Sequence, residues 1–252
     1  MVIKASKISF LSLFSQFTLR LTTECTYRCS FCNLWKKPAI AANQLVEVIK
    51  SGDFFSMFPK KKVFNIVGGD PFCLDSVGYI ITYLAQQKCK VRCWTNGYFP
   101  IDLMTSSLTS ISELYLYFPA FNAEDFAMIT GYGSMADFEQ TLDYLRGEKV
   151  NVILNHPIKV DTVSQLPDIY AFAYKHNCKL LLHYNPKDNF SAEARMAIHH
   201  FFKVKNVEVY PTIPSQDMMC EAYPGTGIQK KSYIIYNTWR ESINGVYNKI
   251  TL

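Results

Sequence analysis

No run of apolar residues in this chain reaches the roughly 18–20 that a membrane-spanning helix needs. There is also no internal repeat, no low-complexity tract and no Pro-, Gly- or Ser-rich linker, which leaves out solenoid arrays, disordered tails and loosely tethered domains. Charge of one sign is scarce. The net charge is +5 over 252 residues, and the lysines at Lys36–Lys37, Lys60–Lys62 and Lys230–Lys231 form only short runs. Such runs usually sit on solvated loops, so the balance argues against nucleic acid as the main partner.

The N-terminus has the outline of a signal peptide but is not expected to be one. Lys4 and Lys7 precede the apolar stretch Ile8–Phe14, but Arg20 follows closely and no small-x-small cleavage site lies between. The segment reads as an extra strand or hairpin over residues 1–16 leading into the first core strand, and the protein as cytoplasmic. A second closely spaced cysteine pair of zinc-finger type is missing as well. Of eight cysteines, three fall within eight residues, Cys25, Cys29 and Cys32, while Cys73, Cys89, Cys93, Cys178 and Cys220 are scattered. That clustering favours metal ligation over disulfide pairing in a chain of this size. Cys89 and Cys93 flank or lie in a strand and read as small buried hydrophobes.

What is present is an alternation of short β-rich runs with helical stretches. Strands are expected at Phe17–Thr22, Lys62–Val67, Val91–Thr95, Leu114–Phe118, Val150–Asn155 and Lys179–Tyr184, with a last one at Val207–Tyr210. Helices are expected at Asn43–Phe58, Ser76–Lys88, Phe138–Arg146, Leu166–His176 and Ala192–Phe202. Six βα units in series point to a parallel sheet with helical crossovers, either doubly wound or barrel-like. In both, ligands gather at the C-terminal strand ends. The cysteine cluster, Gly68-Gly69-Asp70 and Thr95-Asn96-Gly97 all follow strands directly, so they should converge on one rim.

The segment Thr23–Cys32 carries C-x3-C-x2-C. Three thiolates on one loop can each hold one iron of a cubane cluster, which normally takes four cysteines. The missing fourth leaves one iron open, as at a catalytic metal. A zinc site completed by a distant ligand such as Cys73 is the alternative.

This loop, with Phe31 just before its third cysteine, resembles the signature loop of the radical SAM superfamily. Val67-Gly68-Gly69-Asp70-Pro71 resembles the family's glycine-rich turn after the second strand, with Asp70 where Glu is commoner. Thr95-Asn96-Gly97 and Gly131-Tyr132-Gly133-Ser134 resemble two further segments, so the likeness extends over roughly residues 15–211. The resemblance implies a partial (β/α)6 TIM-type barrel over residues 1–211, closed by a short C-terminal cap over 212–252. It implies a [4Fe–4S] cluster on Cys25, Cys29 and Cys32, and S-adenosylmethionine bound beside Phe31, Gly68, Gly69, Asp70, Asn96 and Tyr117. Glycines let a backbone approach the ligand closely. Tyr115, Asn155, His183, Tyr184 and Asn185 are further candidates to face the site.

Reductive cleavage of S-adenosylmethionine to a 5′-deoxyadenosyl radical, followed by hydrogen abstraction, is the implied activity. The pattern looks most like compact members that act on a peptide or protein, ending in maturation, epimerisation or a crosslink. Cys73 is a candidate hydrogen donor, and flavodoxin or ferredoxin the implied electron source. An activase for a glycyl-radical enzyme and a nucleotide- or RNA-modifying enzyme are the alternatives within the family. A non-catalytic zinc or iron–sulfur module is the alternative outside it.

Overall fold

The structure, a computed structural model, describes residues 16–38, 43–57, 60–98, 107–185, 187–211, 232–236 and 249–251. Seven strands run in chain order: β1 (Gln16–Arg20), β2 (Val63–Val67), β3 (Lys90–Thr95), β4 (Glu113–Tyr117), β5 (Val152–Ile158), β6 (Lys179–Tyr184) and β7 (Val207–Pro211). Each pairs in parallel with the next, so sequence order and spatial order coincide from β1 to β7. A doubly wound sheet would reverse direction at a switch point. Continuous progression in one direction is instead the winding of a barrel, here left open as a partial (β/α) barrel. Of the tail expected as a cap, the described pieces are β8 (Ser232–Tyr236) and β9 (Lys249–Thr251), which join the sheet beside β1.

The helices described between the strands are α1 (Asn43–Lys50), α2 (Val77–Gln86), α3 (Ala123–Thr130), α4 (Met135–Gly147), α5 (Leu166–Lys175) and α6 (Ala192–Phe201). The helix expected over Asn43–Phe58 is broken. Gly52 takes φ +80° and its amide reaches back to the Ile49 carbonyl, so α1 stops and a short turn of helix restarts at Phe54–Met57. Helix α3 went unread in the sequence. Its signals are Asn122, whose side chain accepts from the Asp125 amide, and Gly131 in the left-handed conformation at its end. No helix among the described residues is long and apolar enough to cross a membrane.

Strand alternation divides the sheet into two chemically different faces. Phe17, Leu19, Phe64, Ile66, Val91, Cys93, Leu114, Leu116, Leu154, Leu180 and Leu182 share one core with helix residues such as Ile81, Leu84, Leu142 and Phe172. The opposite, inner face carries Thr18, Arg20, Asn65, Arg92, Glu113, Tyr117, Asn155 and His183, in register across the ladder. Its apolar part is one small cluster of Val67, Trp94, Ile153 and Leu181 with Tyr115 packed against it. Trp94 and Tyr115 stack with centroids 4.0 Å apart and planes 5° apart, flooring the barrel just below its rim.

Two buried histidines set an acid limit on this fold. Burial holds the His156 ring down to about 4 and the His183 ring down to about 3, below the usual 6.5. The unfolded chain therefore takes up these protons first, and stability present above pH 6.5 is lost as pH falls toward 4. Asp70, whose burial raises its carboxyl to about 6, acts in the opposite direction over a narrower span. Urea unfolding should show a net loss on the order of a few kcal/mol between pH 7 and pH 4. The variant His183→Phe should flatten that slope; an unchanged slope would show that the ring is not held neutral.

Candidate active site at the rim

The loop after β1 stays zipped to the turn after β2 beyond the end of the sheet. Leu21 N–H donates to the Val67 carbonyl (2.9 Å), Gly69 N–H to Thr22 (2.8 Å) and Asp70 N–H to Glu24 (2.6 Å). The two chains come so close that a Cβ on Gly69 would lie 2.0 Å from the Glu24 carbonyl oxygen, and one on Gly68 2.7 Å from that of Thr22. The close approach that these glycines permit is to the protein's own backbone, which places the cysteine loop.

Asp70 secures the same corner. It is fully buried, with Oδ1 accepting from Phe72 N–H (2.9 Å) and Oδ2 from Thr95 Oγ1 (2.7 Å) and Asn96 N–H (2.8 Å). The carboxylate thus joins the rim ends of β2 and β3. Both its oxygens are engaged inside the protein, which is consistent with a shorter side chain than Glu. Asn96 continues the chain of contacts: its Nδ2 donates to Cys25 Sγ (3.4 Å) and to Thr26 Oγ1 (3.0 Å).

From the other side, Tyr27 is buried edge-on against Phe126, with centroids 6.3 Å apart. Arg28 N–H donates to the Thr130 carbonyl (2.8 Å) and Ser30 N–H to Ile129 (3.1 Å), pinning the loop to the end of α3. The Gly131–Ser134 segment therefore lies between two helices and packs on the loop, where a Cβ on Gly133 would sit 2.9 Å from the Tyr27 ring. The Arg28 guanidinium also donates to the carbonyls of Cys25 and Tyr27.

Cys29 and Cys32 are buried and Cys25 half-buried, all three as free thiols. Burial raises the Cys25 thiol well above its usual range, with Asp70 adding to the effect, and pushes Cys29 up to about 12. Deprotonation there depends on bound metal, whose charge stabilises the thiolate. Among the described residues no three His, Cys, Asp or Glu side chains are grouped to hold one metal ion. A cubane asks for a different arrangement, one thiolate per iron. Three thiols on a loop braced from both sides, with an amide donor on one sulfur, are a donor set that fits it.

Phe31 is half-buried with its edge toward Tyr117, centroids 6.2 Å apart, and the Lys159 ammonium lies 3.9 Å from its ring centroid. Lys159 was not read in the sequence, although it directly follows β5, where a rim residue is expected. Tyr117, Asn155 and Trp94 line a cavity of about 20 Å³ together with Gly68, Gly69 and Asn96. The Tyr117 hydroxyl, Asn155 Oδ1 and Trp94 Nε1 are buried there with no hydrogen-bond partner among the described residues. Leaving such atoms unpaired costs about 1–3 kcal/mol each, so the socket suits a polar group. His183 is buried on the inner face, whereas Tyr184 packs on the helix-side core. Asn185 is tied up with Asp188 (2.7 Å). Cys73 ends the short helical turn Pro71–Cys73, within electrostatic reach of Cys25. Cys89 and Cys93 are buried in the core, and Cys220 lies outside the described residues.

The family model of the Radical SAM superfamily matches residues 19–173, which is more than half of the chain. The chain belongs to the radical SAM superfamily. Cofactors of this superfamily are a [4Fe–4S] cluster and S-adenosylmethionine. The fold is similar to that of SuiB from Streptococcus suis, solved with its precursor peptide SuiA, at 12% identity and a TM-score of 0.61, covering 77% of this chain and 48% of that one. It is similar also to anSMEcpe solved with bound AdoMet (14% identity, TM-score 0.57, 74% of this chain and 59% of that one). Methylornithine synthase (PylB) is a further structural relative, at 12% identity and a TM-score of 0.51, over 74% of this chain and 62% of that one. The chain thus spans about half the length of the SuiB chain. No curated protein sequence matches it.

The steric reading of the rim separates two glycines sharply. Gly69→Ala should destabilise the protein by about 1–3 kcal/mol, as overpacking does, and displace the cysteine loop. Gly147→Ala, where nothing lies within 4 Å of the added carbon, should be neutral or slightly stabilising. Urea midpoints of the two variants check this, and equal midpoints would contradict it.

Proposed function

We propose that this protein holds a [4Fe–4S] cluster on Cys25, Cys29 and Cys32 and uses it in radical S-adenosylmethionine chemistry on a peptide or protein. The observation that carries the reading is the three-cysteine loop set at the C-terminal rim with Asn96 on the Cys25 sulfur, in a chain of this superfamily. When bound, the cluster supplies the electron that splits S-adenosylmethionine into methionine and a 5′-deoxyadenosyl radical.

The chain's own residues have distinct tasks in this reading. The three thiols lose their protons on binding iron, and the Asn96 amide offsets charge on one of them. Asp70 positions Asn96 and the glycine turn and leaves ligand contact to their backbone. Phe31 offers a ring at the mouth, and Tyr117 and Asn155 offer unpaired polar atoms beside the turn. The Trp94–Tyr115 floor denies a substrate the barrel interior, so it must lie across the rim. That geometry suits an extended chain better than a compact small molecule. Support for a peptide also comes from the relatives solved with peptides, SuiB with its precursor and anSMEcpe with a peptide ligand.

Cys73 stays our candidate hydrogen donor. Burial pushes its thiol up to about 12, with Asp70 and Glu24 adding to the effect, so it keeps its hydrogen at neutral pH. Anaerobic reconstitution should load about four irons per chain and release 5′-deoxyadenosine under a strong reductant, both abolished in Cys29→Ala. Zinc in place of iron, with no cleavage, would overturn the proposal. Cys73→Ala should keep cofactor cleavage and stop substrate turnover; continued turnover would remove the donor role.

A further inference from the structure

Lys159 stands one residue beyond the end of β5, on the rim to which parallel pairing brings every strand end. A turn holds its backbone there. Thr162 N–H donates to the Lys159 carbonyl (3.2 Å), and Lys159 N–H donates to Thr162 Oγ1 (3.3 Å). The Lys159 side chain is half-buried, with its ammonium 3.9 Å from the centroid of Phe31, a ring whose orientation is also set by Tyr117 of β4. Phe31 itself lies between Cys29 and Cys32 in the loop. A partly desolvated cation is drawn to a ring face more strongly than one in water.

Among the described residues this ammonium has neither an ion pair nor a hydrogen bond, and Asp161 and Asp188 act on it only through space. Its field also reaches Cys29, where it opposes the rise in the thiol that burial causes. A cation partly out of water with no carboxylate beside it costs stability, and the cost is offset where negative charge arrives. Arg28, the cation within the loop, is exposed, where water and salt screen it.

We infer that Lys159 sets the reduction potential of the cluster, its ammonium clamped on Phe31 beside Cys29 so as to favour the electron-rich state. The inference rests on the proposed function, since it presumes a cluster on Cys25, Cys29 and Cys32. Reduction takes one electron from a one-electron reductant; no bond forms or breaks and no proton moves. It adds negative charge to a group already ligated by thiolates, so a fixed cation close by favours it. Net charge and hydrogen bonds to the sulfurs are the means by which a protein places a cluster's potential. Here the two fall on different cysteines: the Asn96 amide reaches the Cys25 sulfur at 3.4 Å, and the Lys159 charge acts at Cys29. The role is electrostatic and not catalytic.

The test reads the potential itself, on the full chain with its cluster assembled and no S-adenosylmethionine present. Anaerobic titration with dithionite and redox mediators is followed by electron paramagnetic resonance of the reduced cluster. Lys159→Met should make reduction about tenfold less favourable, a fall of about 59 mV for one electron, with iron content unchanged. Lys159→Arg keeps the charge and should stay within about threefold of the unmodified protein. Lys175→Met, at an exposed lysine that ends α5, should change nothing. The fall should persist at high salt, because a half-buried charge is screened little. If Lys159→Met does not hold iron, Lys159→Gln is titrated in its place, with the same expected fall. An unmoved potential in the neutral variant overturns the inference. An equal fall in Lys159→Arg overturns it too, by tracing the effect to packing, and so does a fall that vanishes with salt. If no cluster assembles in the unmodified protein, the proposed function fails and this inference with it; a normal cluster with an unmoved potential removes the inference alone.

Discussion

Two backbone amides, those of Gly69 and Asp70, carry most of the organisation at the rim. By donating to the carbonyls of Thr22 and Glu24 they extend the β1–β2 pairing past the last residues of the sheet and fix where the cysteine loop begins. A side chain at Gly69 would have no room. The buried Asp70 carboxylate then ties this corner to the end of β3, and Asn96 returns from β3 to the Cys25 sulfur. Three strands, one carboxylate and one amide make a closed circuit, and the position of the first cysteine depends on all of it.

The rest of the barrel is arranged around that circuit. Sequential parallel pairing from β1 to β7 brings every strand end to the same side. The helices cover one face of the sheet with aliphatic side chains and leave the other face largely polar. A closed eight-stranded barrel fills its interior with branched apolar side chains. Here Arg92 pairs with Glu113 (2.5 Å) on the inner face, and Trp94 stacked on Tyr115 forms the floor. The inner face is therefore polar along several strands and aromatic where Trp94 meets Tyr115. Unpaired polar atoms of Tyr117 and Asn155 lie on that face beside the glycine turn.

Much of this arrangement is legible in the sequence. The period-two pattern of Phe17–Thr22 marks a strand, and the glycines and asparagine that follow the strands mark the rim. Other parts were hidden for identifiable reasons. Helix α3 is short, and its apolar residues Phe126 and Ile129 make too brief a pattern to stand out, although its caps at Asn122 and Gly131 were readable. The break at Gly52 was missed because the hydrophobic spacing of Asn43–Phe58 continues across it. Lys159 gave no signal of its own, since a lone lysine after a strand is ordinary until a ring such as Phe31 is found beneath it.

The sequence by itself determined the parts that are local: the C-x3-C-x2-C spacing, the glycine turn, the strand-helix alternation and the superfamily they indicate. These follow from covalent spacing and backbone preference, which act over a few residues. Only the tertiary structure decided what the turn glycines are for, what Asp70 binds, and which of two sheet windings the alternation takes. Those answers depend on contacts between residues such as Thr22 and Gly69, or Cys25 and Asn96, that lie far apart in the chain. Their proximity is set by strand order and register, and neither is written into any single segment.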